Sequence, residues 1–171
     1  PVNIAALVEQ VCEISRPALR AANVEMRVQT QGPLPPLFAD PVQIELALFN
    51  LVSNSLDAMP EGGRLDFSLS ATDTGVRLVV ADSGTGIPPD VLPRVFDPWV
   101  TTKPAGRGTG LGLSITRDAI ASHGGVIDVR SEPGQRHLAE RAGPVDRCDR
   151  RRHRGRRLAV LLGQAVRDLG L

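Results

Sequence analysis

Asn50-Leu-Val-Ser-Asn54-Ser-Leu-Asp57-Ala58, Asp82-Ser-Gly84-Thr-Gly86-Ile87 and Gly106-Arg-Gly108-Thr109-Gly110-Leu111-Gly112-Leu are the segments whose joint reading decides the fold. The first lies in an apolar-periodic stretch that Asp40-Pro41 opens, a helix cap followed by proline at the first helical position, and that runs to Met59. At about 100° per residue, Ile44, Leu48, Leu51, Val52, Ser55 and Met59 fall on one side, while Gln43, Ala47, Asn50, Asn54 and Asp57 form a narrow stripe on the other. Two amides and a carboxylate therefore share one helix face. The second segment follows directly from an apolar strand, Val76 to Ala81, and the third enters a helix from about Gly110 to Ser122.

Working outward, Asn3 to about Ala22 reads as a helix with Asn3 as its cap, and Pro17 is expected to kink or stop it. Val24 to Thr30 alternates strictly and reads as a half-buried strand, and Leu37-Phe38-Ala39 as a short one. Pro60-Glu-Gly62-Gly63 is a turn, after which Leu65, Phe67 and Leu69 alternate with polar residues, so that 65–81 reads as a hairpin. His123-Gly-Gly closes the last helix, and Val126 to Ser131 forms a final strand. The pattern is α+β, a two-layer sandwich with a mixed sheet covered on one face by helices near 3–22, 42–59 and 110–122.

The chemistry of each segment follows from its residue types. Gly84 and Gly86 remove β-carbons where a strand leaves the sheet, which lets a flat ring approach the backbone, and Ile87 offers an apolar wall. Asp82 is a carboxylate acceptor suited to an exocyclic amine such as that of adenine. Gly106, Gly108, Gly110 and Gly112 alternate along a loop entering a helix, where backbone N–H groups and the positive helix end converge on phosphate oxygens. Asn54 presents a neutral carbonyl oxygen acceptable to Mg²⁺, and Asn50, one turn earlier, is a second candidate ligand. Taken singly these are a solvated helix face, a turn and a flexible loop, and Phe96 and Trp99 are ordinary core residues.

In this order and spacing, the three segments resemble the N, G1 and G2 boxes of the GHKL nucleotide-binding superfamily. Arg94-Val-Phe96-Asp-Pro-Trp99-Val-Thr101-Thr102-Lys103 is similar to the F box of sensor histidine kinases. The resemblance implies a Bergerat-type ATP-binding fold over residues 1–135. It also implies an ATP site with Mg²⁺ at Asn54 and Asn50, and nucleotide contacts from Asp57, Asp82, Phe96, Thr101, Thr102, Lys103, Thr109, Leu111 and the glycines Gly84, Gly86, Gly106, Gly108, Gly110 and Gly112. Asp57-Ala-Met-Pro60-Glu-Gly62-Gly63 is similar to the nitrogen-regulation-like class of these kinases.

ATP-hydrolysing relatives carry a glutamate one turn before the metal-binding asparagine; here that position is Asn50, and an amide cannot accept a proton from water. Transfer to a separate nucleophile is therefore favoured over hydrolysis, with Asn50 and Lys103 as the catalytic candidates and Lys103, the sole lysine, placed to stabilise charge on the γ-phosphoryl group. A GHKL-type ATPase and a non-catalytic nucleotide-binding module are the alternatives. None of His123, His137 and His153 resembles a phosphoacceptor. The resemblance implies that this histidine, and the general base, lie on a dimerisation domain of the parent kinase, whose downstream partner is a response regulator.

Composition sets the outer limits. The chain has 171 residues, 42% hydrophobic and 23% charged, which suits one globular domain with a buried core. Its apolar runs fall short of the roughly 18 to 20 residues a membrane span needs, so membrane attachment is expected only through the parent protein. Two isolated cysteines, Cys12 and Cys148, make neither a disulfide framework nor a zinc site and point to a reducing, cytoplasmic compartment; the fragment is expected to be monomeric. A start at Pro1 is expected of a segment of a longer chain. Net charge is −5 over residues 1–135 and +6 over residues 136–171, where nine arginines lie between Arg136 and Arg157. Family members end in a final apolar strand; here a strandless, arginine-rich tail over 136–171 is expected, frame-shifted or disordered, with only Leu158 to Leu171 regaining amphipathic helical character. No aromatic residue accompanies the arginines, so nucleic acid is not an expected partner.

Overall fold

A computed structural model describes residues 1–103 and 108–131, together with 157–164 as a strand. Helix α1 (Ile4–Ala21) is capped by the Asn3 side chain, which accepts from the N–H groups of Ala5 and Ala6. It runs through Pro17, so the expected stop there is corrected: burial of Leu7, Val8, Val11 and Leu19 along one face carries the helix past the missing donor. Strand β1 (Val24–Gln31) follows, then α2 (Pro41–Ala58), whose cap Asp40 accepts from Val42 N–H at 2.9 Å with Pro41 at the first position, as the sequence dictates. The expected strand at 37–39 is reduced to one bridge between Leu37 and Val2.

Strands β2 (Gly63–Thr72) and β3 (Gly75–Asp82) form the expected hairpin, a 3₁₀ turn spans Leu92–Arg94, and α3 (Gly112–Ser122) leads to β4 (Val126–Val129). The last strand, β5 (Arg157–Gln164), comes from the arginine-rich tail. The sheet order is β1-β2-β3-β5-β4, with β2 and β3 antiparallel and the other pairs parallel. It is a mixed sheet.

Register explains which face is covered. Val24, Met26 and Val28 align with Gly63, Leu65 and Phe67, Phe67 and Leu69 with Val80 and Leu78, and Leu78 with Val160. This single face supplies Leu65, Phe67, Leu69, Val76, Leu78 and Val80 to the core, where they join Val8 and Val11 of α1, Ile44, Leu48 and Val52 of α2 and Ile120 of α3. The opposite face carries half-buried Asp66, Ser68 and Arg77. The result is an α+β sandwich of two layers, with the helices on the apolar side.

The strandless tail is therefore corrected, as is the boundary after Gln135 as the limit of the sheet. β5 fills the gap between β3 and β4, and Val160 is only 2% exposed. Two strand edges present unpaired N–H and C=O groups, and an eight-residue stretch with an apolar centre satisfies both. The sequence reading made Leu158 to Leu171 helical because a short apolar run carries no period of its own. The reading of 136–156 and 165–171 as frame-shifted or disordered lies outside the described residues.

Candidate functional site

A cavity of about 700 Å³ opens between α2, the ends of β3 and β4, and the segment leading into α3. α2 presents Asn50, Asn54 and Asp57 to it. Asn50 and Asn54 are half-buried there, whereas Asp57 stays exposed. α3 packs against this side of α2, which also buries Ala47 at 2% exposure. Asn50 Nδ2 donates to the carbonyl of Gly112 at 3.3 Å, so its amide ties α2 to the first residue of α3. Thr116 Oγ1 donates to the same carbonyl at 2.8 Å.

Asp82 stands at the end of β3 and lines the cavity. Its Oδ1 accepts from Gly84 N–H at 2.9 Å and its Oδ2 from the Ser55 hydroxyl at 3.4 Å. Burial raises its pKa, and the two hydrogen bonds offset only part of that. Ser55, 4% exposed and turned from the core face of α2 toward Asp82, is a site residue that the sequence reading assigned to packing. Its signal was a hydroxyl on an otherwise apolar face.

Gly86, at φ +80°, and Ile87 line the cavity; Ile87 N–H donates to Ser131 Oγ, another lining residue, at 2.7 Å. Gly84 has a different reason from the expected one. It is not a lining residue; a β-carbon there would stand 2.6 Å from Ala58 Cβ and 2.8 Å from Ala58 O, so glycine serves the approach of the strand-end loop to α2. The neighbouring Thr85 N–H donates to Ala58 O at 3.1 Å.

The far wall comprises Thr101, Thr102, Lys103, Gly108, Thr109, Gly110 and Gly112. Lys103 Nζ donates to Asn54 Oδ1 at 3.3 Å and forms an ion pair with Asp57. Gly110 has φ +67°, and a β-carbon there would lie 2.5 Å from the Trp99 carbonyl carbon; Trp99 N–H donates to Gly110 O at 2.9 Å. Trp99 itself is 74% exposed at φ +68°, unlike the ordinary core residue that it would be if taken singly. Phe96 is half-buried and, like Leu111, is not among the residues that line the cavity, whereas Val91, Val95 and Val100 are. Gly106 lies outside the described residues.

The cavity matches the chemistry of a nucleoside triphosphate with its divalent cation. A buried carboxylate among apolar valines suits an amino-substituted ring, a side-chain carbonyl oxygen at Asn54 suits a hard cation, and α3 starts at Leu111-Gly112 with no side-chain cap. Among the described residues no cluster of three or more His, Cys, Asp or Glu exists to hold a metal ion by protein ligands alone. No described helix is long and apolar enough to cross a membrane. His123 is occupied structurally, with Nε2 accepting from Asp40 N–H at 2.9 Å and Nδ1 facing Ala119 O at 2.7 Å.

Residues 39–140 match the family model described as histidine kinase-, DNA gyrase B- and HSP90-like ATPase. The chain belongs to this family. Within the family it is similar to the sensor histidine kinase ZraS of Escherichia coli, 32% identical over 134 residues, 78% of this chain and 28% of the relative. The chain thus spans under a third of that relative's length. The nucleotide-free catalytic domain of histidine kinase ThkA superposes with a TM-score of 0.64 at 33% identity, covering 71% of this chain and 79% of that one. ThkA in complex with the response regulator protein TrrA matches at 0.60 and 30% identity, over 71% of this chain and 34% of that one. Full-length ShkA in complex with AMPPNP matches at 0.61 and 34% identity, over 71% and 26%.

Proposed function

We propose that this chain is the ATP-binding catalytic domain of a cytoplasmic sensor histidine kinase, composed of residues 1–135 and completed by β5, and that its parent passes the phosphoryl group on to a response regulator. The observation that carries the reading is the convergence of Asn54, Asp82 and the start of α3 on one cavity. Membership of an ATPase family, the AMPPNP complex of ShkA and the TrrA complex of ThkA support it. The motif at Asp57 to Gly63 supports the nitrogen-regulation-like class.

Asp82 is the acceptor for the adenine amine, held by Gly84 N–H and the Ser55 hydroxyl, while Gly86, Ile87 and Val95 exclude water around the ring. Asn54 Oδ1 is the protein ligand for Mg²⁺, and the N–H groups at the start of α3 receive the phosphates. Bound Mg-ATP supplies the γ-phosphoryl group. Asn50 cannot act as a base, since an amide accepts no proton at neutral pH and its Nδ2 is engaged by Gly112 O. This leaves the residues of the chain to position the nucleotide and to stabilise its charge, with Lys103, among the described residues of the far wall, as the cation bonded to Asn54. The nucleophile and its base then belong to the histidine-bearing dimerisation domain.

Mixing the chain with a matching dimerisation domain and labelled ATP is expected to give acid-labile phosphohistidine, and Asn54→Ala to lower its yield at least about 100-fold. Multiple turnover of phosphate by the chain alone would overturn the transferase reading in favour of an ATPase. Nucleotide binding without either product would favour a non-catalytic module.

A further inference from the structure

We infer that Asp57 is a positioning residue that latches Lys103 over the cation seat of the nucleotide-free cleft, and that triphosphate binding releases the latch. The inference rests on the nucleotide reading above, but deepens it: Asp57 is assigned to the lysine rather than to the nucleotide. Lys103 Nζ bridges two residues of α2, donating to Asn54 Oδ1 at 3.3 Å and pairing with the Asp57 carboxylate. The ammonium thus takes up the carbonyl oxygen offered to a hard cation, as a point charge with three donors can.

The geometry around the lysine favours this seat. Its backbone N–H donates to Thr101 Oγ1 at 3.1 Å, and its stem lies against Gly108, where a β-carbon would come within 2.9 Å of Lys103 Cδ. One turn of α2 supplies Asn54 and Asp57 at i and i+3, one above the other on the same face. The lysine side chain is 28% exposed and the Asp57 side chain 49%, so the pair is held by its geometry, with its attraction partly screened by solvent, rather than by deep burial.

The consequence is a competition with a definite sign. One carboxylate holds the lysine in the empty cleft, whereas the several negative charges of a triphosphate outweigh it, and release frees Asn54 Oδ1 for the cation that arrives with the nucleotide. Lys103 then turns to the phosphates. The position of the Lys103 ammonium and the occupancy of the cleft are coupled through the Lys103–Asp57 ion pair, and Asp57 opposes nucleotide binding by the strength of that pair.

Because Lys103 is the only lysine, the contact can be read without ambiguity on the full 171-residue chain. A water-soluble carbodiimide activates a carboxyl group, the amine attacks it, and an amide forms as the elements of water pass to the urea by-product. In the nucleotide-free protein, peptide mapping is expected to find Lys103 joined to Asp57. Saturating AMPPNP with Mg²⁺ is expected to lower that yield at least about fivefold, the range of a partly exposed ion pair. Asp57→Asn removes the cross-link and tightens AMPPNP binding about two- to fivefold, Asp57→Glu restores the cross-link, and the tightening vanishes in a Lys103→Gln background.

Joining of Lys103 to a different carboxylate, or weaker AMPPNP binding by Asp57→Asn, overturns the latch while leaving the nucleotide site standing. A cross-link at Asp57 with no calorimetric heat from AMPPNP overturns the nucleotide reading and the latch with it. A cross-link that persists in protein shown to hold AMPPNP overturns the release step.

Discussion

Helix α2 and the described residues 95–103 and 108–112 face each other across one cavity, and they are held in place by different means. On α2, Ile44, Leu48, Leu51 and Val52 are sunk in the core, Asp40 caps the start, and Asn50, Asn54 and Asp57 project from a helix anchored by that core. Across the gap, Val95 is buried, but Trp99 is exposed, and the described part of the wall is held by the Trp99–Gly110 bond and by Lys103 on Asn54 and Asp57. One wall takes its position from buried area and the other from a few directional contacts. Local opening free energy is expected to follow the same division.

The sharpest way to break this contrast is Leu48→Ala. Leu48 is 2% exposed, and its truncation is expected to cost about 2–5 kcal/mol of global stability, read as a drop in melting temperature. If α2 is the fixed wall, nucleotide affinity of the remaining folded protein changes little; a large change in affinity at full folding would show that the helix is the compliant side.

Asp82 lies where the walls meet, and here stability and binding are expected to part company. Its burial raises its pKa, so the neutral form is favoured in the folded state: the contribution to stability is fully present below the ordinary carboxylate pKa and is lost as pH rises through the raised value. Nucleotide affinity has the opposite sign, falling as pH drops through the raised value and protonates the acceptor. Asp82→Asn is expected to weaken AMPPNP binding by about 1.5–3 kcal/mol, the worth of a hydrogen bond to a charged group, without lowering the melting temperature. Thermal melts and calorimetry across pH check both halves, and Asp82→Asn should flatten both profiles.

The smallest effect is expected at the other wall. Gly110→Ala forces a β-carbon into a left-handed residue beside the Trp99 backbone, at a cost of about 1–2 kcal/mol for the conformation alone. Since few contacts tie this segment to the core, the cost should appear as weaker AMPPNP binding, with the melting temperature nearly unchanged. A fall in melting temperature as large as that of Leu48→Ala would mean that the segment is part of the core after all.

Much of the fold was legible because periodicity and caps are local. Asn3 and Asp40 cap their helices as read, and alternation at 24–30 and 65–69 placed one face of the sheet. The glycine and asparagine spacings likewise brought Asn50, Asn54, Asp82, Gly86, Gly108, Gly110 and Gly112 to one cavity. What failed was long-range. Ser55 carries a polar role because β3 ends beside it, Gly84 has no room for a β-carbon beside Ala58, and Phe96 and Leu111 are not among the residues that line the cavity. Trp99 went to the surface because its backbone, and not its ring, makes the contact with Gly110.

By itself the sequence determined the α+β sandwich, the three helices, the hairpin and the residue types that one nucleotide-binding cleft requires, since each of these is written in short-range pattern. Only the tertiary structure decided that residues 157–164 complete the sheet between β3 and β4, and that Lys103 rests on Asn54 and Asp57. Both depend on segments far apart in the chain meeting in space. A strand edge or a carboxylate selects its partner by geometry and charge, and neither leaves a period in the sequence.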